Sequence, residues 1–417
     1  AQAIRARTSK ALGIVLWILT ELAIMATDIA EVIGAAIALY LLFDIPLIIA
    51  VFITVFDVLL LLLLTKVGFR KIEAIVVCLI FVILFVFVYQ VALSNPDWGG
   101  VFKGLIPTSE TFAKHPVVHD MSPLNGALGI IGATVMPHNL YLHSAISQTR
   151  KFDRNNEDDI ANAVRFTAWD SNIQLGLAFV VNSLLLIMGV AVFKSGAVED
   201  PSFFGLYQAL SDTSVMSNGL LAAAARTGIL STLFAVALLA SGQNSTITGT
   251  LTGQVIMEGF IHLRMPLWAR RLITRLLSVI PVLICVALTS GKSTIEEHEA
   301  LNNLMNNSQV FLAFALPFSM LPLVIMTGSK VEMGERFKNR LWINILGWIS
   351  VISLTYLNMI GLPQNLEPFF PADKVGLAHT VAYILIVLII ALLIWTLVEL
   401  HLGNKRFAAE QAKKHNK

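Results

Sequence analysis

Charged residues and cysteine are both scarce in this chain. Only 13% of the 417 residues are Asp, Glu, Lys or Arg, 56% are hydrophobic, and the 2 cysteines, Cys78 and Cys285, lie in apolar segments. Soluble domains contain about 25% charged residues, and two isolated thiols provide neither a disulfide framework nor a cysteine-based metal site. The composition therefore excludes a soluble enzyme and indicates a protein embedded in a lipid bilayer.

Long apolar segments make up most of the sequence. Ten of them are long enough to cross a bilayer, so we expect an all-α polytopic membrane protein with a single transmembrane domain over residues 1–417. Lys and Arg collect in alternate loops, which by the positive-inside rule places both chain ends in the cytoplasm, the second as a polar tail at 403–417. The compact loops fit a bacterial plasma membrane. The predicted spans are residues 11–43, 46–65, 72–94, 125–149, 166–193, 228–250, 268–290, 306–327, 340–361 and 376–402.

The predicted span 125–149 contains a proline and two histidines, which are costly inside a membrane. Pro137 removes a backbone donor and clashes with the helix near Ala133, and freed carbonyls need protein, water or an ion as partner. We interpret the segment as a helix broken near the midplane, where transporters hold their substrates. Met136 offers a thioether at the break, and soft thioethers favour transition metals. A proline-kinked helix with Met136 as core filler is the alternative.

The first predicted helix carries three carboxylates on one face. Glu21, Asp28 and Glu31 are spaced by seven and three residues, which aligns them along the helix. Buried carboxylates of this kind face a partner cation or a water-filled path. Arg271 and Arg275, one turn apart on the seventh predicted helix, are the candidate partners. A proton relay and a static clamp between helices both fit the pattern.

Other polar residues in apolar segments carry weaker signals. His138 can act as a proton switch or a hydrogen-bonded gate, and His143 has the same two possibilities. No His-Glu-x-x-His pattern occurs, so a zinc protease is unsupported. Gln309 follows Asn306–Ser308 at the predicted start of a helix, where amide groups either ligate a cation or cap the helix. Asp57 lies alone in its helix, and we assign it no role.

Three stretches resemble the signatures of the natural-resistance-associated macrophage protein (Nramp) family. They are Met-Pro-His-Asn-Leu-Tyr-Leu-His at 136–143, Gly-Gln-x-Ser-Thr-Ile-Thr-Gly-Thr-x-x-Gly-Gln-x-x-Met-Glu-Gly-Phe at 242–260 and Ala-Thr-Asp-x-Ala-Glu-Val-Ile-Gly at 26–34. Members are proton-coupled transporters of divalent transition metals with the leucine-transporter inverted-repeat fold. The resemblance implies import of Mn²⁺ or Fe²⁺, and also Cd²⁺ and Co²⁺, by alternating access around the broken helix. It implies no enzymatic activity, no resident cofactor and no nucleic-acid partner, and we expect a monomer in the bilayer.

The resemblance also assigns roles to individual residues. It implies that the metal ion is held by the carbonyl of Ala133, the thioether of Met136 and the amide of Gln309. The polar network tied to proton movement and gating would consist of Asp28, Glu31, His138, His143, Arg271 and Arg275.

One family motif is missing. The family's first helix is broken at Asp-Pro-Gly-Asn, which supplies a charged and an amide ligand, and this motif does not occur here. The resemblance then implies that the ten spans correspond to helices 3–12 of twelve, and we expect the sequence to lack the first two. A site of one thioether, one carbonyl and one amide has no anionic ligand. We therefore expect weak metal binding and no transport from these residues alone.

Other functions remain open on the sequence. A magnesium carrier would use a related fold, but Met136 argues against it because a thioether contributes nothing to the binding of Mg²⁺. An intramembrane enzyme using His138, His143 and Asp28 has no visible nucleophile motif or complete metal triad. A sensor or scaffold would keep the fold and lose transport.

Overall fold

A computed structural model describes residues 1–57, 96–114, 122–149, 151–153, 155–193, 202–211 and 226–415, with scattered residues between 74 and 92. These residues are almost entirely helical, and no β-strand occurs among them. The expected all-α class is therefore confirmed. Most of the predicted span 72–94 and the end of 46–65 lie outside the described residues, so the count of ten spans stays a prediction.

The α-helices of the described residues are numbered in chain order. They are α1 (Gln2–Arg5), α2 (Lys10–Phe43), α3 (Leu47–Thr54), α4 (Trp98–Lys103), α5 (Pro123–Thr134), α6 (Pro137–Ile146), α7 (Glu157–Phe193), α8 (Phe203–Ser211), α9 (Ile229–Ile261), α10 (Leu267–Thr289), α11 (Thr294–Thr327), α12 (Lys330–Phe337), α13 (Leu341–Leu366) and α14 (Val375–His415). Within the described part, α2, α7, α10, α11, α13 and α14 are long and apolar enough to cross a membrane.

Helix α2 lies at the centre of the described structure. Its N-terminus is capped by Ser9, whose hydroxyl accepts a hydrogen bond from the backbone N–H of Leu12 at 3.3 Å. The helix packs against α9, α10 and α11, and 72% of its most apolar stretch is buried. Val32 on α2 belongs to one core cluster with Val282 on α10 and Leu301 on α11. Polar residues on the buried face of α2 are therefore held inside the bundle, away from lipid.

Helix α11 begins earlier than predicted. Ser293 caps it by accepting a hydrogen bond from the backbone N–H of Glu296 at 3.3 Å, and carboxylates in a first turn interact favourably with the helix dipole. The prediction that Asn306–Ser308 cap a helix is therefore wrong, because these residues lie more than three turns inside it. The consequence for the site is that Gln309 lies in the middle of α11.

Two other helices extend beyond their predicted bounds. Helix α7 begins at Glu157 rather than at residue 166, and its first turn carries three carboxylates that suit a helix N-terminus. Helix α14 runs to His415, so residues 403–415 continue the last predicted span as a helix. Apolar length alone underestimates both helices because their ends are polar.

Candidate metal and proton site

The predicted break in the span 125–149 is present. Helix α5 ends at Thr134 and α6 begins at Pro137, with Val135 and Met136 between them. Val135 has φ −108° and ψ 82°, and Met136 has the extended values φ −78° and ψ 128°. Pro137 fits the first position of a helix because the N–H it lacks has no acceptor there. The proline therefore starts α6 instead of kinking one continuous helix.

The break leaves acceptor groups at the end of α5. The backbone N–H of Val135 donates to the carbonyl of Ile131 at 2.9 Å, and the hydroxyl of Thr134 donates to the carbonyl of Ile130 at 2.7 Å. Pro137 has no N–H to donate to the carbonyl of Ala133, four residues earlier. Ala133 is exposed and Met136 is half-buried. A carbonyl oxygen and a thioether are thus accessible at the same interruption.

Helix α11 brings Gln309 against this end of α5. A Cβ atom on Gly132 would overlap the backbone carbonyl oxygen of Gln309, so the two helices touch at a position that only glycine fits. The side chain of Gln309 is 9% exposed, and its Nε2 donates to the hydroxyl of Ser308 at 3.2 Å. Its Oε1 is buried and has no hydrogen-bond partner among the described residues. An unsatisfied acceptor at this depth favours a cation or a water as its partner.

The candidate metal ligands at the break are all neutral groups. Among the described residues, no group of three or more His, Cys, Asp or Glu side chains is placed to hold a metal ion. A site made from a thioether, a carbonyl and an amide selects by softness and geometry, since it has no charge of its own.

A charged network lies beside the break, inside the bundle. Arg271 on α10 donates to Asp28 Oδ1 at 2.5 Å, to Glu31 Oε2 at 3.0 Å and to Asp57 Oδ2 at 2.9 Å. It also donates to the hydroxyl of Thr246 on α9 at 2.8 Å. One guanidinium therefore connects α2, α9, α10 and the residue Asp57 beyond the end of α3.

The second arginine completes the network. Arg275 donates to Asp57 Oδ2 and to the backbone carbonyl of Asp28 at 3.4 Å, and its Nη1 lies 3.8 Å from Glu31 Oε2. Three carboxylates, each at most 7% exposed, thus face two guanidinium groups. If all five groups are ionised, the network has a net charge of 2 − 3 = −1. Each carboxylate keeps one oxygen without a partner in the described part of the chain.

Two features of this region differ from the sequence prediction. Glu21 pairs with Arg270, although the spacing of α2 suggests that Glu21 shares the arginines of Asp28. Glu21 lies two turns from Asp28, and Arg270 precedes Arg271 directly, so the two pairs form side by side. Asp57 is the second, and its only sequence signal is a lone carboxylate in an apolar segment. In the structure Asp57 is buried and pairs with both Arg271 and Arg275, so it lies at the centre of the network.

The two histidines of α6 have different surroundings. His138 is 2% exposed, and its Nδ1 has no partner in the described structure. It follows the break directly, on a helix that packs against α2, α9 and α11. His143 has an exposed side chain. The structure therefore groups Asp28, Glu31, Arg271 and Arg275, buries His138 on a helix that packs against α2, and leaves His143 exposed.

Comparisons with known proteins agree with this architecture. The family model described as "Natural resistance-associated macrophage protein-like" (Nramp) matches residues 1–364. Two relatives, each named divalent metal cation transporter MntH, come from Levilactobacillus brevis and Pediococcus pentosaceus. The first is 56% identical over 86% of this chain and 74% of its own length. The second is 54% identical over 88% of this chain and 78% of its own.

The crystal structure of a manganese transporter from Eremococcus coleocola, in complex with an aromatic bis-isothiourea substituted compound, has the same fold. It is 64% identical and superimposes with a TM-score of 0.88 over 97% of this chain and 82% of that one. The match by sequence and by fold covers both the break and the charged network. The chain therefore belongs to the natural resistance-associated macrophage protein-like family.

Proposed function

We propose that this chain forms a carrier that imports divalent transition-metal ions together with protons. The substrates would be Mn²⁺ and Fe²⁺, with Cd²⁺ and Co²⁺ also accepted. The observation that carries the proposal is the interruption between α5 and α6, with Met136 at its centre and Gln309, whose Oε1 is unsatisfied, on the helix that packs against α5. The names of the relatives, divalent metal cation transporter and manganese transporter, support it.

The ligand atoms at the break account for the proposed preference for transition metals over Mg²⁺. The thioether of Met136 is a soft ligand, while the carbonyl of Ala133 and the amide of Gln309 are hard oxygens. Mg²⁺ demands near-ideal octahedral oxygen coordination and loses water reluctantly, so replacing one oxygen by sulfur disfavours it. Transition metals accept mixed sulfur and oxygen ligands. In this role the metal ion is the cargo, and we propose no resident cofactor.

The charged network is suited to carry the protons. Its net charge of −1 would be neutralised by one proton on one of the three carboxylates Asp28, Glu31 and Asp57. The other two carboxylates would still pair with Arg271 and Arg275. His138, between the break and the network, is the side chain best placed to link metal occupancy to that proton. Alternating access would then move the half-helices α5 and α6 against the scaffold of α2, α9 and α10.

We also propose a location and an orientation. The relatives are bacterial proteins, and the basic loops predict that both ends of the chain face the cytoplasm. The carrier would act as a monomer in the plasma membrane.

A selectivity measurement tests the role of Met136. Met136→Ala, made in the full-length protein, should admit Mg²⁺ and Ca²⁺ better relative to Mn²⁺ and should weaken Cd²⁺ most, because the soft donor is lost. Competition uptake into proteoliposomes measures this. Met326→Ala is the matched control, since Met326 is also partly buried but lies at the far end of α11. Unchanged selectivity of Met136→Ala would remove this residue from the site.

A further inference from the structure

A cavity of about 420 Å³ lies away from the break, where α11 ends and α12, α13 and α14 meet. Its volume is within the range of small-molecule sites. Neither the metal site nor the charged network contributes to its lining. The residues that surround it fall into a polar group and an apolar group, and each group makes different demands on a ligand.

The polar group lies mainly on one face of α14. Asn404 and Lys405 follow His401 by three and four residues, so both project to the same side of the helix as His401. Asn344 on α13 faces them across the cavity. The Oδ1 atoms of Asn344 and Asn404 are buried and have no hydrogen-bond partner among the described residues. No carboxylate occurs among the described residues that line the cavity, so its polar end favours an anion that also carries hydroxyl donors.

The apolar group lies at the border between the core and the outer surface of the bundle. Trp348 on α13 and Leu397 on α14 line the cavity together with Val324 and Ile325 from the end of α11. The surface next to them is apolar and open, with Trp342 58% and Val398 47% exposed. Tryptophan concentrates at the interface between hydrocarbon and head groups. The cavity thus runs from lipid-facing surface to the basic end of the bundle.

We infer that this cavity binds one anionic phospholipid with a hydroxyl-bearing head group, of the phosphatidylglycerol type. Lys405 and His401 would hold the phosphate, and head-group hydroxyls would donate to the Oδ1 atoms of Asn344 and Asn404. One acyl chain would pack along Trp348. Free phosphate would satisfy only the polar end, and a choline head group would bring a cation with no hydroxyl donor. Basic pockets between helices on the cytoplasmic side are known to suit anionic lipid head groups, and this end of α14 is the predicted cytoplasmic side.

The test titrates the detergent-purified full-length protein with phosphatidylglycerol, phosphatidylcholine or inorganic phosphate. Native mass spectrometry counts bound lipid, and thermal unfolding reports stabilisation of the folded state. We expect phosphatidylglycerol to bind and to raise the melting temperature more than either competitor. Lys405→Gln should weaken its apparent affinity about fivefold, the factor expected for one cation near a membrane surface. Arg406→Gln, one residue along and exposed, should leave it unchanged.

A second variant separates the cavity from general surface charge. Ala408→Leu, one turn beyond Asn404 on the wall of the cavity, fills part of the cavity and keeps every charge, so it should also reduce phosphatidylglycerol binding. Equal binding of both lipids would overturn the proposal, and so would equal losses in Lys405→Gln and Arg406→Gln. Stabilisation by inorganic phosphate as strong as that by phosphatidylglycerol would identify a free-anion site instead. Unaltered binding by Ala408→Leu would place the lipid elsewhere on the surface.

Discussion

Arg271 is the residue on which the charged network depends most. It is 1% exposed and donates to three carboxylates, two on α2 and one beyond the end of α3. Removing one partner from a buried ion pair leaves an uncompensated charge, whereas an exposed pair contributes little. The value of Arg271 therefore lies less in any single contact than in the number of carboxylates that its loss would leave without a cation.

We predict that Arg271→Ala lowers the free energy of unfolding by about 3–5 kcal/mol. Thermal and denaturant unfolding in detergent would measure the loss. Arg264→Ala is the control, because Arg264 is 85% exposed and lies 3.7 Å from Glu258; its effect should stay below about 1 kcal/mol. Similar stability of both variants would contradict the buried network.

Asp28→Asn tests the excess negative charge. The amide keeps the shape of the carboxylate but brings the formal charge of the network from −1 to zero, so the reason for binding an extra proton disappears. We expect proton movement per metal ion to fall while metal binding is largely retained. Parallel measurements of Cd²⁺ affinity and of proton uptake by a pH dye would separate the two. Equal loss of both, with an unfolded protein, would favour a static clamp.

At the scale of helices, glycine decides how closely α5 and α11 approach. Gly132→Ala places a Cβ on the backbone oxygen of Gln309, and overpacking of this kind typically costs about 1–3 kcal/mol. Gly176→Ala, on the exposed surface of α7 with no atom within 4 Å of the added Cβ, should instead gain up to about 1 kcal/mol of helix propensity. Melting temperatures that move in opposite directions confirm the contact. A tolerated Gly132→Ala would contradict it.

The helix break shows how much of an element can be predicted. Pro137 marks the break within the correct span because proline has no backbone N–H to donate to the carbonyl four residues earlier. The start of α11 lies about three turns before the predicted one, since the cap at Ser293 is a local hydrogen bond outside the apolar segment. The family resemblance is what assigns Gln309 as a metal ligand. Its place opposite Gly132 depends on helix packing, which residue spacing alone does not determine.

At the scale of the whole molecule, ion pairs join elements that are distant in sequence. Arg7, before α2, pairs with Glu332 on α12. Arg336 on α12 contacts Glu157 at 3.1 Å and Asp158 at 3.0 Å, both at the start of α7. Positive-inside counting predicts that these segments share one membrane face, and their contacts agree with that. The individual partners follow from three-dimensional packing, as the pairing of Arg270 with Glu21 also illustrates.

The most direct test of the proposed function is Mn²⁺ uptake by the full-length protein in proteoliposomes that contain an internal pH dye. We predict that Mn²⁺ entry acidifies the vesicle interior and continues in excess Mg²⁺. In Met136→Ala, uptake should become sensitive to Mg²⁺, while Met326→Ala should behave like the unmodified protein. Absence of Mn²⁺ uptake from a folded protein would contradict the transporter proposal and favour a sensor of the same fold.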